Sequence, residues 1–194
     1  MITHFDRDHA GGAAQIIQDF DVKALLRPEY MKESDESAEC MAAEDRGVKV
    51  IIITSQTDIQ LGSTKLVIHP ADKVYENDAS NNSSLVTEVF HGNNSLLFTG
   101  DIEKERIADI KYELNDAGYD FLKVPHHGRY EKILPEFFSL VGAQSAVITS
   151  SEKNPEEQET IQALEDAGVK DILLTRGGEI TLQSDGGKLS FTQE

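Results

Sequence analysis

His4-Phe5-Asp6-Arg7-Asp8-His9-Ala10-Gly11-Gly12 decides the reading of this 194-residue chain. Four metal-capable side chains fall within six positions, and no regular helix or strand turns such a run into one shared pocket. A loop that runs into a helix N-terminus does, and the Gly-Gly pair permits that sharp entry. Imidazole and carboxylate together suit a divalent cation such as zinc or manganese. A lone His-x-Asp is an ordinary charged loop; the density here, and the ligand types at two downstream strand ends, tell against that.

Two later stretches end strands with the same kinds of group. Leu96-Leu97-Phe98-Thr99-Gly100-Asp101 is an apolar strand that halts at a glycine and presents an aspartate. A carboxylate has two oxygens and can bridge two cations. Phe121-Leu122-Lys123-Val124-Pro125-His126-His127-Gly128 ends on two imidazoles. Adjacent side chains point apart, so one of the pair is a ligand and the other contacts substrate or protonates a leaving group. Lys123 and Arg129 flank the pair, and each is either a hand for a phosphate oxygen or a surface charge. A capped strand end explains any one of these stretches, but not all of them in one short chain.

The bulk composition is that of one soluble domain, 39 % hydrophobic and 27 % charged, long enough to bury a single core. No run approaches the roughly 20 apolar residues that span a bilayer, so no membrane insertion is expected. No basic-plus-apolar leader opens the chain either, and a cytoplasmic location is the expectation. Cys40 is the single cysteine, which excludes an internal disulfide and a multi-cysteine zinc site; it is expected to pack from an amphipathic helix. Thirty-five acidic residues against 18 basic ones give a net charge of −17. Such a surface repels phosphate backbones at long range and weighs against tight, non-specific nucleic-acid binding.

The pattern predicts alternating elements, hence α/β. Helices are expected over residues 11–19, 34–46 (capped by Ser34, stopped by Gly47), 102–117, 133–141 and 156–167. Strands are expected over 22–26, 48–53, 65–68, 85–90, 96–99, 121–124, 146–149 and 172–175. A closing hairpin is expected at 179–183 and 188–191. His91-Gly92-Asn93-Asn94 carries hairpin-turn chemistry. Whether the sheet is parallel or mixed is not legible from the pattern.

Taken together, the opening hexapeptide, Asn82-Ser83-Ser84-Leu85-Val86, Leu97-Phe98-Thr99-Gly100-Asp101 with Glu103, and Leu122-Lys123-Val124-Pro125-His126-His127-Gly128 resemble the metallo-β-lactamase fold. Within it they resemble the hydrolase domain of ComEC-type competence proteins, and the tail from Ala146 through Thr175-Arg176 to Gly178 and Ile180 is similar to that family's closing segment. The resemblance implies an αββα sandwich in one domain spanning residues 1–194, lacking an N-terminal portion. It implies a site for one or two divalent cations, zinc or manganese, built by His4, Asp6, Asp8, His9, Asp101 and one of His126 and His127. With His127 as the ligand, His126 and Lys123 are left to work on the substrate, and Asp8 takes a catalytic part as well as a place among the ligands. Asn82 stands where relatives carry a further histidine, and His69 and His91 are expected to be structural. Arg129-Tyr130 departs from the small hydroxyl residues common there.

The implied activity is hydrolysis of a phosphoester or phosphodiester by metal-activated water. A small phosphoester or a short nucleic acid is the expected substrate, and a second copy or another partner is expected to cover bared sheet. The alternative is a non-catalytic truncated fragment with a structural or assembly role.

Overall fold

The computed structural model describes residues 1–43 and 46–194. Its centre is a seven-stranded sheet in sequential order: β3 (Thr57–Leu61), β4 (Thr64–His69), β5 (Val86–His91), β6 (Asn94–Phe98), β7 (Phe121–Lys123), β8 (Ser145–Ile148) and β9 (Asp171–Leu174). The sheet is mixed. β3 to β6 form an antiparallel meander, and β6 to β9 run parallel. Parallel neighbours need crossovers, and α5 (Lys104–Ile110), α6 (Leu134–Val141) and α7 (Gln158–Asp166) supply them.

Strand alternation sorts the side chains into two cores. Leu97, Leu122, Ala146 and Ile148 face the helices, packing with Ile107, Ile110, Phe137, Phe138 and Leu164. Leu96, Phe121 and Val147 face the other way. The closing hairpin, β10 (Ile180–Ser184) with β11 (Leu189–Gln193), covers them through Ile180, Leu182, Leu189 and Phe191. Farther along that face a parallel pair, β1 (Ala24–Pro28) with β2 (Lys49–Ile53), packs Leu26, Ile51 and Ile53 against Ile68 and Leu85. Outside this pair lie α1 (Arg7–Ala10), α2 (Ala13–Asp19) and α3 (Asp35–Met41), over a core of Ile2, Phe5, Ile17, Leu25 and Val48. Helix, sheet, sheet and helix layers stack in turn, as the resemblance implied.

The departures from expectation are local. The edge strand β3 and the short α4 (Ala79–Asn82) were not anticipated; β3 alternates polar side chains with only a half-buried Ile59 and Thr57. The helix expected to reach residue 117 stops at Ile110. Beyond it the chain turns so that the Asn115 backbone N–H donates to Glu88 (3.1 Å) and the Tyr119 hydroxyl donates to the same carboxylate. That buried bond network overrides local helix propensity. The helix expected over 34–46 forms over Asp35–Met41, with Ser34 Oγ accepting the Ser37 N–H at 3.2 Å. Of the stretch expected to carry it on to residue 46, positions 44 and 45 lie outside the described residues, as does the side chain of Cys40, on which its expected packing role depends.

Residues 1–3 tie the two sheets together: the Ile2 N–H donates to Leu26, and the Thr3 carbonyl accepts from Leu85. Ile16 on α2, Phe20 just after it and Ile52 on β2 stand exposed. No helix among the described residues is long and apolar enough to cross a membrane.

Candidate metal centre

Parallel strands present their carboxyl ends to one crevice, the usual place for a ligand in an open α/β sheet. Here β6 ends at Phe98 and delivers Thr99-Gly100-Asp101. β7 ends at Lys123 and delivers His126-His127, and β8 ends at Ile148 and delivers Thr149. The opening loop brings Asp8 and His9 from α1 across the same tips. One ligand atom from each of Asp8, His9, Asp101 and His127 lies within 4.8 Å of the others.

Asp101 is the hub. Its Oδ2 lies 3.1 Å from His9 Nε2 and 3.0 Å from His127 Nε2, while Asp8 Oδ2 lies 3.0 Å from the same His127 atom. Lys123 Nζ donates to Asp101 Oδ1 (3.0 Å) and to the Gly100 carbonyl (2.7 Å). One oxygen is therefore held by lysine, and Oδ2 alone is left to be shared. Burial pushes the Asp101 carboxyl up, but His127, His9 and Lys123 outweigh it and hold it well below the usual carboxylate range. Lys123, expected to hold substrate, instead faces this buried carboxylate.

Each imidazole is set by what its other nitrogen meets. His127 Nδ1 lies 2.7 Å from the Thr149 carbonyl, which only accepts, so the proton sits on Nδ1 and Nε2 faces the centre. His9 Nδ1 lies 3.3 Å from Thr3 Oγ1. The two Nε2 atoms stand 3.4 Å apart, at 3.1 and 3.0 Å from Asp101 Oδ2, so both rings aim at one point. His4 is fully buried beneath them, its ring 4.2 Å from that of His9. The hydroxyls of Ser84 (3.1 Å) and Thr3 (3.2 Å) engage its Nδ1, and its buried Nε2 has no partner. Burial, with His9 next, lowers the His4 pKa to about 4, so the ring is neutral, the form that ligates metals. Asp8, His9, Asp101 and His127, with the neutral His4 packed against His9, are the donor types that suit a divalent cation.

Asp6 stands apart from the group. Its Oδ1 accepts from Ser80 Oγ and Lys32 Nζ, at 2.5 and 3.1 Å. His126 points away from the four-residue cluster, its Nδ1 lying 2.9 Å from Glu103 Oε1. Burial pushes the Glu103 carboxyl up to about 7, against the Asn81 amide that donates to it. The neighbouring imidazoles diverge because both take left-handed backbone conformations, φ +43 at His126 and +54 at His127. Each such non-glycine residue costs about 1–2 kcal/mol, a strain typical of functional sites.

His69 is buried against Glu88 at 2.8 Å, and His91 lies between Ser184 and Ser63; neither approaches the centre. The sequence alone gave Ser84 no role, although it lies in one of the stretches that carry the resemblance. Ser84 Oγ accepts the Asp101 N–H (3.1 Å) while engaging His4. Thr149 and the loop beyond it likewise carried no signal in the sequence.

The sequence model of the metallo-beta-lactamase superfamily matches residues 1–151. ComE operon protein 3 of Bacillus subtilis (strain 168) is 28 % identical over 185 residues, covering 93 % of this chain and 24 % of that protein. Recombination protein 2 of Haemophilus influenzae is 29 % identical over 156 residues, covering 80 % of this chain and 18 % of its own length. The chain thus spans a quarter or less of these curated relatives. Among solved structures, Igni18, a metallo hydrolase from the archaeon Ignicoccus hospitalis, superposes with a TM-score of 0.59 at 15 % identity, covering all of this chain and 78 % of that one. By family match, layer order and the ligands its strand tips bring together, the chain belongs to the metallo-β-lactamase superfamily and is ComEC-like within it.

Proposed function

We propose that the chain is a metal-dependent hydrolase acting on phosphoester or phosphodiester bonds. The observation that carries this reading is the convergence of Asp8, His9, Asp101 and His127 within 4.8 Å above a buried His4 whose Nε2 has no partner. His4, His9, His127, Asp8 and Asp101 would hold one or two divalent cations, zinc or manganese. Bound there, such a cation supplies Lewis-acid polarisation of a phosphoryl oxygen and acidifies water.

The remaining work falls to this chain's own residues. Lys123 fixes the orientation of Asp101. His126 lines the cleft beside the centre, its Nδ1 turned to Glu103, and in this reading it gives a proton to a leaving oxygen that extends into the cleft. The strained turn at His126-His127 separates ligand from proton donor. Recombination, in the name of one relative, is nucleic-acid chemistry, and a phosphodiester substrate accords with it. The test is metal analysis of the purified chain, then hydrolysis of bis-p-nitrophenyl phosphate with and without chelator. Activity is expected to vanish with chelator and in Asp101→Ala. Metal-independent turnover, or full activity in Asp101→Ala, would refute the metal-centre reading, and no turnover by the metal-loaded chain would favour a structural or assembly role.

A further inference from the structure

The cleft beside the centre measures about 580 Å³, within the ~300–1,000 Å³ range of small-ligand sites. Asp8, His126 and His127 form one wall. The rest of the lining carries Arg129, Ser150, Lys153 and Asn154, together with one carboxylate residue, Glu157. Its loop is locally built: the Ser151 N–H donates to the Asn154 carbonyl (3.0 Å) and the Asn154 N–H to Ser151 Oγ (3.1 Å), presenting Lys153 between them. The Glu157 N–H donates to the Gly128 carbonyl (3.1 Å). The loop is thereby held against the histidine turn, so the two walls are set relative to each other before any ligand arrives.

Two features of this wall point to an anion. The chain carries a net charge of −17, and its other cations near the site are neutralised, Lys123 by Asp101 and Arg176 by Glu156. Arg129 and Lys153 form no ion pair among the described residues, so both charges remain available to the cleft they line. Ser150 is only 8 % exposed, lines the same wall, and its Oγ has no hydrogen-bond partner. A buried hydroxyl left unpaired costs about 1–3 kcal/mol, a cost that is relieved once the Ser150 side chain turns toward an acceptor in the cleft.

We infer that this wall is a subsite for a second phosphate of the substrate, adjacent to the group at the metal centre, with Arg129 and Lys153 as its charges and Ser150 as its donor. The inference rests on the hydrolase reading and deepens it: the substrate is a chain of phosphates, either linked through sugars as in an oligonucleotide end or directly as in a nucleoside polyphosphate, and not an isolated phosphoester. Simple phosphodiesters fill only the centre and leave the wall's two cations uncompensated.

The test uses the full chain and a readout separate from turnover. Fluorescence anisotropy would measure binding of a labelled, 5′-phosphorylated tetrathymidylate with phosphorothioate linkages, and competition by thymidine triphosphate, for wild type, Lys153→Ala, Arg129→Ala and the double variant. Each single variant is expected to weaken binding about 5–10-fold. The slope of log affinity against log salt should fall by about 0.7 for each cation removed, the single-strand value. In kinetics, kcat/KM for tetrathymidylate relative to bis-p-nitrophenyl phosphate should fall at least about 10-fold in the double variant, by the same loss of charge-assisted contacts. Lys153-dependent binding of the tetramer assigns the second phosphate to a nucleic-acid backbone; such binding of the triphosphate alone assigns it to an anhydride chain. Binding of neither, or binding indifferent to both substitutions, overturns the subsite. Failure of wild type to hydrolyse any substrate while the tetramer still binds through Lys153 would instead overturn the hydrolase reading and leave the subsite standing.

Discussion

Gly100→Ala is the sharpest probe of how the centre is held. Gly100 sits at φ +59, and a Cβ placed there would lie 2.7 Å from Ser84 Cβ, 2.8 Å from Ser84 Oγ and 3.4 Å from Thr3 Cβ. Ser84 is fully buried, so it has no solvent side into which to retreat. The substitution carries two costs: about 1–2 kcal/mol for alanine in a left-handed conformation, and about 1–3 kcal/mol for forcing a methyl into packed surroundings. Together these predict a loss of roughly 2–5 kcal/mol. Gly62 separates the two, because it has the same φ of +59 with nothing within 4 Å of its added Cβ; Gly62→Ala should show only the first cost. Urea unfolding of both variants in chelator, compared at equal m-value, gives the difference directly. Because Ser84 Oγ engages both His4 Nδ1 and the Asp101 N–H, Gly100→Ala should also lose divalent-cation affinity, and Gly62→Ala should keep it. Adding Ser84→Gly to Gly100→Ala removes the colliding Cβ and should recover stability, but not cation affinity, since the hydroxyl goes too. Equal destabilisation by the two alanines, or unchanged cation binding in Gly100→Ala, would refute this reasoning.

The same contacts set two further outcomes. Lys123→Met removes the partner of Asp101 Oδ1 while keeping an apolar stem, and calorimetric titration should show cation affinity reduced about 10–100-fold, as when a ligand's supporting contact is lost. Glu88 is pushed up by burial, but hydrogen bonds from His69, Tyr119 and the Asn115 N–H outweigh this and lower its pKa below the ordinary 4.5. A carboxyl depressed in the folded state contributes stability in full above its unfolded pKa and loses it as pH falls through the folded value. Glu88→Gln should therefore cost about 1–3 kcal/mol at neutral pH by leaving a buried partner mismatched, and urea midpoints should show a shallower decline below about pH 4.5 than in wild type. A parallel decline in the two proteins would contradict the linkage.

How much of this was legible in the sequence depends on which force set each position. The strand tips were readable because largely apolar runs ending in Gly-Asp or Pro-His-His combine a local propensity with a local stop. The order of layers came from a family resemblance and not from periodicity, which cannot distinguish a parallel neighbour from an antiparallel one. α5 was overextended because nothing in residues 111–117 forbids a helix. The bonds that end it come from Glu88, more than twenty positions away. The divergence of His126 and His127 was anticipated from their adjacency, but the assignment of each needed two consecutive left-handed residues, a conformation that no local rule predicts for histidine.

The two lysines show the same limit from the other side. Lys123 is near the histidines in sequence, yet it is a strand residue whose direction is dictated by the pleat. With Leu122 committed to the helix-side core, Lys123 must leave by the opposite face, and there it meets Gly100 and Asp101. Lys153 is twenty-six positions beyond His127 in a stretch without periodicity, and it reaches the cleft because the loop after β8 folds back through Glu157 to Gly128. Proximity along the chain therefore selects the lysine that orients the ligand, and proximity in the fold selects the one that lines the cleft. An acidic protein can hold a phosphate chain on those terms: the surface repels it at long range, whereas two uncompensated cations and the metal centre attract it at one place. Raising ionic strength should then weaken binding at the cleft while relieving the general repulsion. The measured salt slope should be smaller than two phosphate contacts alone would give, about 1.4 at 0.7 per contact. A slope at or above that figure would mean that the acidic surface plays no part in what the site admits.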